Sequence, residues 1–296
     1  MTPLRGELRE NEPMAGHVSW RAGGIAARAF FPADLDDLAA FLERTRFDEP
    51  MLVVGLGSNL LVRDGGYDGT IIFTHAALGE LRVEPDGSIY CEAGVPSPKL
   101  ARFAANEGRE GAEFLAGIPG TFGGALAMNA GCHGSETWDR IERVLMVDRR
   151  GRRTVRARDE FVVGYRHAGL REVTDEFFAA AWLRLPPGHA DAARERMREM
   201  LDRRAATQPL HEPNAGSVFR NPSGDHAARL IEAAGLKGMN EGGARVSEKH
   251  ANFIVNPDGK GTAAEIETLI GRIQAAIWEK FAVRLKCEVR IVGVRP

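Results

Sequence analysis

Apolar and polar positions along this chain alternate between two periods, and the changes of period mark its elements. From Asp34 to Arg46, Leu35, Leu38, Ala39 and Leu42 fall on one helical face, so this stretch is predicted as an amphipathic helix. The first ~80 residues read as strand, helix, strand, strand. Ser97-Pro98 opens a second predicted helix that runs to Asn106-Glu107-Gly108, with the serine as cap, proline at the first helical position and glycine as the stop. Val144 to Val147 and Thr154 to Arg158 read as strands around Asp148-Arg149-Arg150-Gly151, and Phe177 to Leu185 as another before Pro186-Pro187-Gly188 breaks the chain. A helix follows from Ala190 to about Ala206, ended by Gln208-Pro209. Beyond it the pattern predicts a helix from Asp225 to Ala234 stopped by Gly235, then a strand from Ala251 to Val255. Thr262 and Glu265 have capping-box spacing, and Ile266, Leu269, Ile270, Ile273, Ile277 and Phe281 continue at helical intervals. Val283 to Val292 reads as the final strand, and there is neither an internal repeat nor a low-complexity tract. The mixture predicts an α+β protein, and 296 residues suffice for two or three domains.

Composition narrows the function. A formal net charge of -2, with 27% charged and 44% hydrophobic residues, gives no global bias toward nucleic acid or an acidic membrane, so a small-molecule partner is expected. The arginines at 149, 150, 152, 153, 156 and 158 are accordingly read as a solvated hairpin. Cys91, Cys132 and Cys287 are odd in number and widely spaced; they suggest neither a disulfide framework nor a zinc site, and are read as buried packing residues in a reducing cytoplasm. The N-terminal stretch has no apolar h-region, and no apolar run reaches the ~20 residues of a membrane span, so a cytoplasmic location is expected.

The 34 glycines are the informative excess, and they cluster. "MLVVGLGSNLLVRDGG" begins like a dinucleotide-binding loop, but Leu60 stands where the Rossmann pattern needs its third small residue, and Asp64-Gly65-Gly66 stops any helix. The loop therefore joins strand to strand. Gly55 and Gly57 would let the backbone approach a pyrophosphate, with Ser58 and Asn59 supplying donors; a glycine-rich surface turn is the alternative. The second cluster, "GIPGTFGGALAMNAGCHGSE", places Gly117, Gly120, Gly123 and Gly124 around a short apolar core, as a second backbone cradle or as a tight buried turn.

"GLGSNLLVRDGGYDG", "AGIPGTFGGALAMNAGCHG", "GYR" at 164–166, "AGSVFRNP" at 215–222, "GLKG" at 235–238, "SEKHANFIVN" at 247–256 and "CEVRIVG" at 287–293 stand in order. Together they closely resemble the UDP-N-acetylenolpyruvoylglucosamine reductase (MurB) family, over nearly the whole chain. The resemblance implies a PCMH-type FAD-binding fold, with FAD-binding subdomains at 1–83 and 84–188 and a substrate-binding domain at 189–296 whose last strand carries Glu288. It implies a cytoplasmic oxidoreductase of peptidoglycan synthesis, and so of cell-wall biogenesis, cell shape and division. NADPH would reduce non-covalent FAD, and the reduced flavin would reduce UDP-N-acetylglucosamine enolpyruvate to UDP-N-acetylmuramate.

By the same resemblance Arg166, Ser217 and Glu288 form the catalytic set, and Gly55, Gly57, Ser58, Asn59, Gly117, Gly120, Gly123, Gly124, Asn129 and Arg166 bind the cofactor. The residue types suit the chemistry: a cation for the carboxylate beside the reacting carbon, a hydroxyl to donate a proton, a carboxylate to orient. Each also has a plain reading, as a loop arginine, a turn hydroxyl and an exposed strand residue. His133 is not expected to bond the flavin covalently. With no tyrosine and no insert between Arg166 and Ser217, the chain looks like the shorter form of the family; Arg220, Asn221, Lys237, Lys249 and His250 are then candidate contacts to the uridine diphosphate. The competing functions are a flavin-dependent oxidase of the same fold and a catalytically silent nucleotide-sugar-binding protein. The first would need a pocket of its own, and the second would leave the catalytic set free to drift, whereas all three residue types are present.

Overall fold

The Asp34 carboxylate accepts a hydrogen bond from the Asp37 backbone N–H at 2.9 Å, and from this cap the chain enters the helix Leu35–Arg44. In the computed structural model, which describes residues 3–75, 77–172 and 175–296, Leu38, Phe41 and Leu42 of that helix bury against Phe30, Ile72 and Leu78. The chain divides into two units, the first made of residues 1–9, 29–55 and 70–204, the second of 10–28, 56–69 and 205–296.

The first unit holds a five-stranded sheet, part of a four-stranded one and two two-stranded pairs. In the four-stranded sheet Met51–Val54 runs parallel to the second half of Tyr67–Phe73, in register from Met51↔Thr70 to Val54↔Phe73. The five-stranded antiparallel sheet has the order Arg153–Ala157, Ile141–Asp148, Glu176–Leu183, Ile89–Glu92, Leu81–Val83. The helix Ser97–Asn106, the short helix Phe122–Ala127 and Trp138 complete its core, Trp138 donating from Nε1 to the Leu126 carbonyl at 2.8 Å. The α+β expectation holds, and so do the strands either side of Asp148–Gly151.

Two local expectations for this unit need correction, and one helix has no counterpart in the sequence pattern. Ser97 is not a cap: Pro96 occupies that place, accepting from Lys99 N and Leu100 N, while Ser97 N donates to Gly120 O at 3.0 Å and lies inside the helix. The Phe122–Ala127 helix does not show in the sequence pattern, because paired glycines at its start mask a helical period. Finally, the arginine hairpin is only in part a solvated face. Arg149 is 6% exposed, and its Nη2 donates to Arg46 O at 3.0 Å, Phe47 O at 3.0 Å and Glu49 O at 2.7 Å. Arg156 is half-buried and bonds Glu176 and Glu160, whereas Arg150, Arg152, Arg153 and Arg158 are exposed as expected, the last three with bonds to Asp148, Leu35 O and Trp138 O. Arg149→Met keeps the buried stem and removes the donor, so this unit should lose about 2–3 kcal/mol, the scale for a charged hydrogen bond to buried carbonyls. A lower urea midpoint with faster amide exchange at 45–50 is the expected signature; an unchanged midpoint would show that water replaces the guanidinium at no cost.

In the second unit the capping box forms as expected, with Glu265 N on Thr262 Oγ1 at 3.2 Å and Thr262 N on Glu265 Oε2 at 2.9 Å. The Asp64 carboxylate adds bonds from Ala263 N and Ala264 N, which favours the positive end of the helix Ala263–Phe281. Ile266, Leu269, Ile270, Ile273 and Ile277 bury against Trp20, Leu61, Val246 and Ile254. Leu60–Val62 pairs in parallel with Arg290–Val292.

Two predicted strands here are shorter than expected. Ala251–Val255 is extended only at Ile254–Val255, because Phe253 N closes a turn onto His250 O at 3.0 Å. Val283–Val292 pairs regularly only at Arg290–Val292; upstream it meets residues 218–220 irregularly, through Arg220 N to Lys286 O and a Phe219↔Cys287 bridge. Of the cysteines only Cys91 is fully buried; Cys132 and Cys287 are half-buried, and burial raises the pKa of all three thiols.

Candidate active site

Within the first unit, Gly55 of the first glycine cluster lies against Thr121 of the second. A Cβ on Gly55, just after the strand Met51–Val54, would stand 2.1 Å from Thr121 Oγ1, so a side chain there would have to displace Thr121. The Thr121 hydroxyl is buried and has no hydrogen-bond partner among the described residues. Gly120 adopts φ +106, and Gly123 donates to Ala93 O at 2.8 Å where a Cβ would meet Ala93 Cβ at 2.8 Å. These glycines set the path of the backbone. Gly124 instead has open space where its Cβ would be, and Gly117 meets only Cys132 Sγ, at 3.6 Å.

Asn129 is buried with φ +39, and its amide is spent inside the unit. Nδ2 donates to Glu136 Oε2 at 2.7 Å and Gly164 O at 3.2 Å, and Oδ1 accepts from Trp138 N at 3.1 Å. This ties the second cluster to the hairpin Phe161–Gly164/His167–Leu170, whose turn is Tyr165-Arg166. Arg166 itself has φ +55, a conformation costly for a residue with a side chain, and such strain concentrates at functional positions. Its Nη2 donates to Gly131 O at 3.3 Å, and its guanidinium lies 4.9 Å from the Tyr165 ring centroid. His133 is exposed, also with positive φ.

In the second unit Gly57 has φ +60, and a Cβ there would be 2.1 Å from His17 O, so glycine is required twice over. Ser58, next along, is half-buried. Asn59 carries the loop to Glu288: its Nδ2 donates to Glu288 O at 3.1 Å, and its own carbonyl accepts from Arg290 N at 3.0 Å. One amide hydrogen expected to face the cofactor is thus committed to the protein.

Ser217 follows Gly216, which has φ +74 and whose N–H bonds Asn214 Oδ1 at 2.9 Å. The next residue, Val218, accepts from Glu288 N at 2.8 Å, so Ser217 and Glu288 hang from one short segment. Asn252, which sequence reasoning passes over, holds that segment through its side chain; the sole signal is its place inside "SEKHANFIVN".

The candidate diphosphate contacts differ in their surroundings. Arg220 has a buried Nε with no partner among the described residues. Asn221 Oδ1 accepts from Ala227 N at 3.1 Å. Lys237 pairs with Glu232 at 3.1 Å, and Lys249 Nζ donates to Ala205 O at 2.5 Å. Burial lowers the His250 pKa, and its Nδ1 accepts from Asn252 N at 3.3 Å, the neutral form with hydrogen on Nε2.

The chain matches two family models: "FAD binding domain" over residues 26–156 and "UDP-N-acetylenolpyruvoylglucosamine reductase, C-terminal domain" over 208–292. Curated relatives carry the latter enzyme's name. One from Thiobacillus denitrificans is 54% identical, covering 99% of this chain and 94% of its own. One from Methylococcus capsulatus is 55% identical, covering 98% and 95%. Among solved structures, UDP-N-acetylenolpyruvylglucosamine reductase (MurB) from Thermus caldophilus superposes with a TM-score of 0.81 at 30% identity, over 97% of this chain and 98% of that one.

Proposed function

The chain belongs to the UDP-N-acetylenolpyruvoylglucosamine reductase family, and on that premise we propose that it uses NADPH and FAD to reduce UDP-N-acetylglucosamine enolpyruvate to UDP-N-acetylmuramate. The observation that carries this reading is the meeting of three distant motifs, at 55–59, 215–222 and 287–293: Asn59 bonds Glu288 O, and Glu288 N bonds Val218 O. The wider role follows from the product: a peptidoglycan precursor made in the cytoplasm, serving cell shape and division. The functional division we propose is FAD binding by 1–83 and 84–188 and substrate binding by 189–296.

The residues present fit a flat, polar cofactor. Gly57 turns left-handed, the Thr121 hydroxyl is buried beside Gly55 without a partner among the described residues, and Gly124 leaves its face open. Gly55, Gly57, Ser58, Asn59, Gly117, Gly120, Gly123, Gly124, Asn129 and Arg166 make up the set that would hold FAD. When bound, FAD supplies the relay that accepts a hydride from NADPH and passes one to the substrate. Addition at the methylene carbon builds negative charge on the neighbouring carbon and its carboxylate, which Arg166 stabilises with a charged, fork-shaped donor. Ser217 gives the proton that this carbon then takes, and Glu288 holds the substrate by hydrogen bonding.

Mixing the protein with NADPH and the enolpyruvyl sugar, while following flavin and nicotinamide absorbance, tests the reading. Bleaching followed by sugar-dependent recovery supports it. Recovery that needs only oxygen would indicate an oxidase, and bound sugar without turnover a silent binding protein. The flavin should be non-covalent, because the cradles are built from backbone and His133 stands exposed. Acid precipitation should leave a white pellet and a yellow supernatant; a yellow pellet would refute this.

A further inference from the structure

Asn252 is 4% exposed, and its side chain is bonded to backbone rather than to a charged group. It brackets one residue: Oδ1 accepts from Phe219 N at 3.0 Å and Nδ2 donates to Phe219 O at 2.8 Å. Its backbone carbonyl takes the neighbouring N–H, that of Val218, at 2.9 Å. Three bonds thus fix the two residues after Ser217. The same segment receives the other chain segment of the site, since Val218 O accepts from Glu288 N at 2.8 Å and Phe219 bridges Cys287. Without Asn252, the Phe219 amide and carbonyl would be buried with no side chain to satisfy them, and the loop after Gly216 would have to move to regain partners.

We propose that Asn252 is a positioning residue for the reduction, holding Val218–Phe219 so that the Ser217 hydroxyl reaches the carbon it protonates. The inference rests on the reading of Ser217 as proton donor. Asn252 touches neither substrate nor flavin in this role; it acts through the segment it clamps.

The amide geometry allows a test that a merely structural residue would not pass. In Asn252→Asp the protonated carboxyl can still donate to Phe219 O and accept from Phe219 N, whereas the ionised form sets a carboxylate oxygen against that carbonyl. Burial holds such a carboxyl above its ordinary pKa, so the clamp persists on the acid side and fails as pH rises. His250 accepts from Asn252 N, Glu288 N bonds Val218 O, and Lys237 and Glu232 act electrostatically on His250, but the wild type carries all of them. The quantity to read is therefore the ratio of variant to wild type at each pH.

The experiment follows flavin reoxidation by saturating enolpyruvyl sugar in the holoenzyme. Asn252→Asp should reoxidise within about threefold of wild type near pH 6 and at least about tenfold slower near pH 8.5, with the NADPH step and the flavin spectrum unmoved. Asn252→Ala should show the slow rate at every pH. In a Ser217→Ala background either change should slow reoxidation by less than about twofold, because residues acting as one unit are not additive. A flat pH ratio, an equal slowing in both backgrounds, or a loss confined to FAD retention or substrate affinity would overturn the proposal. Should Asn252→Ala fail to fold, a pH jump on Asn252→Asp loaded at pH 6 decides the matter in its place: reoxidation slows after the jump if the clamp is real and keeps its rate if it is not. If Ser217→Ala alone reoxidised at the wild-type rate, the proton-donor reading would itself fall, an outcome distinct from failure of the clamp.

Discussion

Ser217→Ala is expected to bleach with NADPH at the wild-type rate and then to reoxidise with the enolpyruvyl sugar about 10²–10⁴-fold more slowly, the usual worth of a positioned general acid. Flavin reduction needs no proton at the substrate carbon, so only the second half-reaction depends on the hydroxyl. The structure separates this from a folding effect. The turn is set by Gly216 at φ +74, the Asn214 bond and the Asn252 clamp, none of which uses Ser217 Oγ. Losing that oxygen therefore leaves these supports of the segment in place. Ser217→Cys should recover part of the rate, since a thiol can donate from nearly the same point. A turn serine without chemical duty would instead give weaker substrate binding and an unchanged saturated rate in stopped flow. Wild-type reoxidation by Ser217→Ala at saturation would end the general-acid assignment.

Two helices that the chain announces locally are formed. The helix Ala263–Phe281 is legible twice, from the Thr262/Glu265 box and from the isoleucines and leucine on one face, and the folded cap makes both bonds of that box. The Leu35–Arg44 helix is legible from the spacing of Leu35, Leu38, Ala39 and Leu42 alone. Elements fail to appear in the pattern where tertiary partners override it. Ala251–Val255 has the composition of a strand, but Phe253 N turns back onto His250 O and the Asn252 amide pairs with Phe219 across 33 residues, outside any regular ladder. Arg149 looks like its solvated neighbours, and only the carbonyls of residues 46, 47 and 49 distinguish it. Ser97 followed by proline has the signature of a cap, yet its N–H is taken by Gly120 O.

The site shows the same divide. Ser217 and Glu288 can be named from the motifs around them, whereas the bond from Asn59 to Glu288 spans 229 residues and leaves no periodic trace. Asn59 can be named as a loop donor, but the group that takes its hydrogen cannot. Glycine is similarly ambiguous: the cluster is visible in the sequence, but only the folded chain separates Gly55 and Gly123, which yield to protein atoms, from Gly124, which faces open space.

Arg166→Lys should lower turnover by about 10²-fold or more with a near-native flavin spectrum, because it retains the charge and removes the fork. Arg166 already donates through Nη2 to Gly131 O, so a single guanidinium can hold the second cluster and present further N–H groups to a carboxylate at once. Lysine offers one ammonium at the end of a flexible stem and cannot keep both directions. Position 166 adds a complication of its own, since φ +55 makes the backbone sensitive to the residue placed there. Arg166→Gly relieves that strain while deleting the side chain, and is the proper background for adding free guanidinium. If the fork is the active feature, Arg166→Gly should be nearly dead, guanidinium ion should restore part of its rate, and ammonium should restore much less. Rescue of equal size by both cations would reduce the role to charge alone, and a fully active Arg166→Lys would show that the carboxylate clamp lies elsewhere.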